Sequence, residues 1–149
     1  MKGRKLRLDD QLCFGLYAAT NAATCAYNPK LVQSGITYPQ YLLLLVLWQD
    51  GPLNIREIAE QLKLPAIGLT PILDRLEQAN LFERRLDSHD RRLIQIHLTA
   101  TGLALETSVA TAQNAVVCET ELLSEALDEL RDTLHALTTR LERAKTTDA

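Results

Sequence analysis

The stretch that decides the fold runs from Asn54 to Leu98: NIREIAEQLKLPAIGLTPILDRLEQANLFERRLDSHDRRLIQIHL. Asn54, with Glu57 three residues on, is close to a capping box and opens a short helix through Leu62. The apolar stripe of that helix is Ile55, Ile58, Ala59 and Leu62. After a break at Lys63 to Pro65, Leu69, Ile72, Leu73 and Leu76 repeat at helical spacing to about Ala79. Two short helices joined by a few residues make a helix-turn-helix signature. Beyond them Phe82, Arg84 and Leu86 alternate with charged neighbours, and Ile94, Ile96 and Leu98 alternate with Leu93, Gln95 and His97. The spacing predicts two strands flanking Asp87-Ser88-His89-Asp90-Arg91-Arg92. An arginine-bearing hairpin directly after a helix-turn-helix has the form of a wing.

On the N-terminal side, Leu8, Leu12, Leu16, Ala19 and Ala23 fall on one helix face, with Asp9 or Asp10 as the expected cap. Pro29 and Ser34-Gly35 are expected to interrupt this pattern. A second helix should begin near Pro39 with Thr37 as its cap, and its run to Trp48 is apolar almost all round, so it should be buried. Asp50-Gly51-Pro52 ends it. From Thr101 the chain is expected to be helical to its end, where Leu123, Leu127, Leu130, Leu134, Leu137 and Leu141 repeat in steps of four and three. Long apolar-striped helices at both ends of a compact middle suggest a platform shared by two copies. The expected fold is mainly α with a small β-wing, a winged helix-turn-helix on a helical dimerisation platform. Residues 1–149 form a single domain in this reading, with 8–35 and 100–145 for dimerisation and 53–99 for DNA.

At 149 residues and 46% hydrophobic, the chain can bury a core of its own. Its longest apolar run, Tyr41 to Trp48, falls well short of the roughly 20 residues that span a bilayer. The basic start Met1-Lys2-Gly3-Arg4-Lys5-Leu6-Arg7 soon meets Asp9 and Asp10, so no signal-peptide apolar stretch develops. The expected location is cytoplasmic, without membrane association. Cys13, Cys25 and Cys118 are too few and too far apart for a disulfide framework or a zinc cluster, and His89, His97 and His135 are scattered singly. No metal or cofactor is expected.

A net charge of −3 argues mildly against nucleic acid as a partner. Between Leu53 and Thr99 seven basic residues face seven acidic ones, so binding must rest on placement. Arg91 and Arg92 at the hairpin tip are the foremost candidates, because a hairpin can carry an arginine into a minor groove that a helix does not enter. The plain alternative is a solvated turn. Asp90 can pair with Arg92 and fix its direction. Thr70 and Arg75 on the second helix complete the DNA-facing set. A two-fold dimer implies a near-palindromic double-stranded operator.

The segments Leu8-Asp9-Asp10-Gln11-Leu12-Cys13-Phe14, Thr37-Tyr38-Pro39-Gln40-Tyr41, Leu69-Thr70-Pro71, Asp90-Arg91-Arg92 and Leu98-Thr99 resemble the MarR-type regulators. Within that family they are similar to the repressors that sense organic hydroperoxides. The resemblance covers nearly the whole chain and implies a homodimeric DNA-binding repressor rather than an enzyme. It implies that Cys13 is the peroxidatic sensor and that Tyr27 and Tyr38 hold its thiolate. Phe14 and Tyr17 would belong to the apolar pocket that admits the peroxide. Cys118 corresponds to the resolving cysteine of the family's two-cysteine branch, which implies a disulfide between subunits after oxidation. Cys25 matches no motif position. The sequence departs from the family at the start of the second helix of the pair, where Asp-Ser-Gly-Thr is usual and Pro65-Ala66-Ile67-Gly68 stands, and at Asp74, where a lysine is usual.

The physics of the residues bears on this reading. A cysteine reacts with peroxide as its thiolate, which the positive end of a helix dipole and donated phenolic hydrogen bonds both favour. In one continuous helix Tyr27 would lie roughly 21 Å from Cys13, and Cys25 roughly 18 Å. The tyrosines must therefore arrive from a partner subunit or from a folded-back chain. A small buried hydrophobe is the ordinary role of an isolated cysteine. Two rival readings remain: release from DNA by a small aromatic or anionic ligand, and a thiol peroxidase, which would need an arginine near Cys13.

Overall fold

A computed structural model of the chain describes residues 6–147. The basic start at Met1–Lys5 lies outside them. The chain divides into two compact units, residues 1–114 and 115–149.

The first unit opens with a 3-10 turn, Leu8–Asp10, followed by α1 (Leu12–Val32). The expected cap by Asp9 or Asp10 does not form. Both acids sit inside the 3-10 turn, Gln11 precedes the first helical residue, and no side chain caps it. Cys13 is consequently the second residue of α1 rather than a full turn inside a longer helix. The expected break at Pro29 is also overturned, since α1 runs through it to Val32. Buried Leu31 fastens the end of the helix, and the Lys30 ammonium donates to the Ala26 carbonyl at 3.3 Å. The stop comes at Gly35, whose positive φ of 73° lets Gly35 and Ile36 donate back to the carbonyls of Val32 and Leu31.

Thr37 caps α2 (Tyr38–Asp50) as expected, in a full capping box with Gln40. Leu43, Leu44, Val46 and Leu47 bury this helix in the centre of the core. Next come β1 (Leu53–Asn54) and α3 (Ile55–Leu62), the latter held by the reciprocal Asn54–Glu57 box at 2.8 and 3.0 Å. A 3-10 turn, Ala66–Leu69, leads into α4 (Thr70–Gln78). The wing is β2 (Phe82–Leu86) and β3 (Ile94–Leu98), antiparallel with Arg84 opposite Ile96. Strand β1 joins β3 on its other side, giving the order β1-β3-β2. Phe82 and Ile96 point into the core with Ile58, Leu69, Leu73 and Leu76. Full burial of one such side chain stabilises by about 1.5–3 kcal/mol.

The expectation of an unbroken helix from Thr101 onward is corrected by two helices, α5 (Ala100–Glu119) and α6 (Ser124–Thr147). Glu121 between them takes a positive φ of 56°, and the Thr120 hydroxyl donates to the Val117 carbonyl at 2.7 Å. In the second unit Leu127 and Leu137 are partly covered, whereas Leu123 just before α6 and Leu130, Leu134 and Leu141 along it stand exposed.

The end of β3 and the first turn of α5 are tied to the end of α4 at one place. Thr99 receives the chain turn by donating through its N–H to the Leu81 carbonyl at 3.1 Å and through its hydroxyl to the Asn80 carbonyl at 2.7 Å. Gly102 lies so close that a Cβ there would collide with the Leu81 carbonyl oxygen, and its own carbonyl accepts from the Trp48 indole at 3.0 Å. Gly102→Ala is expected to destabilise by about 1–3 kcal/mol or more, because rigid backbone must move. A thermal melt of the variant coinciding with that of the parent chain would refute this account.

Candidate nucleic-acid interface and sensor residues

Helix α4 and the wing present the charges available to a polyanion. Arg84 is not among them, because it shares the core-side face of β2 with Phe82 and reaches back to α4, pairing with Asp74 at 2.9 Å and Glu77 at 3.3 Å. Asp74, which stands where a lysine was usual, is thereby neutralised. Arg85 pairs with Glu83. Arg75 on α4 and Arg91 at the wing tip are exposed and have no ion-pair partner among the described residues. Thr70 is exposed at the first position of α4.

Two aspartates build the wing tip. The Asp87 carboxylate accepts from the backbone N–H of His89 at 2.7 Å and of Asp90 at 2.9 Å, and from the Gln95 side-chain amide at 2.9 Å. The Asp90 N–H, then the Gln95 amide and the His89 N–H, hold the Asp87 carboxyl below its ordinary range. Asp90 accepts from the backbone and the Nε of Arg92 at 3.0 and 3.2 Å, the expected pairing. The tip is thus ordered by local hydrogen bonds that hold Arg92 against Asp90, with Arg91 exposed beside it.

The residues expected to form the sensor fall into separate places. Cys13 is exposed at the start of α1, with half-buried Phe14 beside it and exposed Tyr17 one turn on. Tyr27 lies near the other end of the same continuous helix, roughly 21 Å away by the helical rise. Within one chain, therefore, Tyr27 does not reach Cys13. Tyr27 and Tyr38 are brought together, their ring centres 5.2 Å apart. A third tyrosine, Tyr41, completes the group at 5.3 Å from Tyr27 and 5.8 Å from Tyr38, and it is only 3% exposed. Sequence reasoning assigned Tyr41 no role, although its three-residue spacing from Tyr38 places both on one helix face. Cys118, near the end of α5 in the second unit, and Cys25 are exposed thiols.

Burial first, and then the proximity of Tyr27, raises the phenol pKa of both Tyr38 and Tyr41; for Tyr41 a side-chain hydrogen bond with Tyr27 adds to this. Groups whose folded pKa is raised contribute stability that is complete below the unfolded value, about 10, and is lost as pH climbs through the folded value. Melting temperature is expected to fall between pH 9 and 11, less steeply in Tyr41→Phe; parallel profiles would refute this. For the wing, Asp87→Ala is expected to leave the melting temperature close to that of the parent chain while exposing the His89 and Asp90 amides. Hydrogen exchange should speed up at those two amides, and unchanged protection there would show that Asp87 does not order the tip.

Comparison with known proteins agrees with this architecture. A MarR family sequence model matches residues 36–94. The chain is 37% identical over 132 residues to the organic hydroperoxide resistance transcriptional regulator of Bacillus subtilis (strain 168), spanning 89% of this chain and 90% of that protein. Reduced AbfR bound to DNA superposes with a TM-score of 0.78 at 35% identity, over 97% of this chain and 99% of that one. AbfR is from Staphylococcus epidermidis, and its disulfide-formed structure superposes with a TM-score of 0.63 at 34% identity, over 93% and 92%. Among the described residues no helix is long and apolar enough to cross a membrane. The chain belongs to the MarR family, and is a winged-helix transcription regulator rather than an enzyme.

Proposed function

We propose that this regulator is a homodimeric cytoplasmic repressor that leaves its operator when an organic hydroperoxide oxidises Cys13. The observation that carries the reading is the separation of Cys13 from the Tyr27–Tyr38 pair along one unbroken helix. A second copy related by a two-fold axis, with its α1 running antiparallel, sets its tyrosines against Cys13 of the first. Residues 8–35 and 100–145 serve as the dimerisation region, and residues 53–99 as the DNA-binding region. Exposed Leu8 and Leu12 before and on α1, and the exposed leucines of α6, supply apolar surface for the pairing. The similarity to a hydroperoxide resistance regulator and to a protein with reduced and disulfide-formed structures supports the same chemistry.

In the proposed cycle the Cys13 thiolate attacks the distal peroxide oxygen, which breaks the O–O bond and releases the alcohol after a proton is taken up. Cys13 becomes a sulfenic acid, with Phe14 and Tyr17 lining the approach. The tyrosine hydroxyls of the second copy stabilise the starting anion. The Cys118 thiolate of the other subunit then attacks the sulfenic sulfur, expelling water and leaving a disulfide. Two thiols have supplied two electrons, and the peroxide is reduced to alcohol and water. Because the bond requires Cα atoms within about 7 Å, it fixes the spacing of the helices that carry it. On DNA, Thr70 and Arg75 face the major groove while Asp90 holds Arg92 and, beside it, Arg91 at the wing.

The test is non-reducing electrophoresis and DNA binding before and after stoichiometric cumene hydroperoxide. The parent chain is expected to form a covalent dimer and lose DNA affinity by about tenfold or more. Cys118→Ser should form no crosslink, and Cys13→Ser should remain on DNA. A parent chain that leaves DNA only with a small aromatic or anionic ligand, its Cys13 still titrating as a free thiol, would replace redox sensing with ligand release.

A further inference from the structure

Ile67 is 85% exposed, the most exposed large apolar residue of the helix-turn-helix. It stands on the 3-10 turn Ala66–Leu69, which runs without a gap into α4 at Thr70. Leu69, two residues on, is completely buried and fastens the turn to the core, so Ile67 is held outward on a fixed base. The neighbouring Gly68 is equally unexplained by the chain itself. A Cβ there meets nothing within 4 Å, and its backbone is not in the left-handed region that favours glycine. Neither crowding within the chain nor local conformation calls for glycine at this place, and the absent side chain leaves room for another molecule to come close.

The position identifies that molecule. The N-terminal end of the second helix of a helix-turn-helix is the part that meets base edges in the major groove. Pro65, Ala66, Ile67 and Gly68 carry no side-chain hydrogen-bond donor or acceptor, so their side chains cannot read the groove's polar code. The apolar feature of the major groove is the 5-methyl group of thymine. We propose that Ile67 packs on a thymine methyl, one in each operator half-site, while Gly68 lets the DNA come close. This inference rests on the DNA-binding reading above and adds a specific base preference: an A·T pair under the turn, recognised by apolar contact.

The experiment uses the intact reduced protein and a duplex that it selects from a randomised double-stranded library. Each thymine of that duplex is replaced in turn, symmetrically in both half-sites, by deoxyuridine, which removes only the methyl group. At one position the parent chain is expected to lose about fourfold in affinity per half-site, the value of one buried methyl. In Ile67→Ala that loss should vanish while every other position behaves as in the parent chain. If no thymine is sensitive, or if Ile67→Ala keeps the parent pattern, the inference fails. In either case Arg91→Ala reports on the DNA-binding reading separately, because removing a wing cation lowers affinity for the whole deoxyuridine series while leaving the pattern of sensitive thymines in place. A parent chain that selects no sequence would overturn both. Should Ile67→Ala instead abolish association with a protein partner while DNA binding is unchanged, the turn is a protein contact and the thymine assignment falls.

Discussion

The arrangement of the DNA-facing parts depends on the close approach of Gly102 to the Leu81 carbonyl. Around it converge the end of α4 through Asn80 and Leu81, the end of β3 through Thr99, the first turn of α5, and α2 through the Trp48 indole. Four elements far apart in sequence are thereby fixed to one another by backbone groups, which have little freedom to adjust. A side chain of any size at residue 102 would separate them. The end of α4 and the first turn of α5 are consequently held to each other by groups that have little room to give.

Most of this first unit was legible because its signals are local. Thr37 with Gln40 and Asn54 with Glu57 announce helix starts by reciprocal hydrogen bonds within four residues. The alternation through Phe82–Leu86 and Ile94–Leu98 gives the hairpin and its buried face. Other features were decided elsewhere. Pro29 removes one helical donor, yet fully buried Leu31 beyond it gives the helix reason to continue. Strand β1 is only two residues long and exists because β3 offers a partner edge, which no local pattern announces. Asp9 and Asp10 have the chemistry of caps but were drawn into a 3-10 turn of their own.

The sensor was legible in a different way. The roles expected of Cys13, Tyr27 and Tyr38 came from the family resemblance, while the helical rise shows that Tyr27 and Cys13 of a single chain do not meet. What the structure adds is the clustering of the tyrosines with each other and with buried Tyr41, whose packing against both rings limits where their hydroxyls can point. In the proposed reading the phenols gathered at one end of α1 would serve the Cys13 of a second chain, since their own lies at the far end. The chemistry that responds to peroxide and the association of two chains are in this reading a single property.

Arg84 has a consequence of another kind. By spending its charge on Asp74 and Glu77 it locks β2 to α4, and it also withdraws a cation from the surface that meets a polyanion. An arginine held between two carboxylates displaces no condensed counterion from a polyanion, so Arg84 adds nothing to the ion release of a complex. Each cation held back in this way lowers the number of counterions a complex can release, and with it the slope of binding against ionic strength.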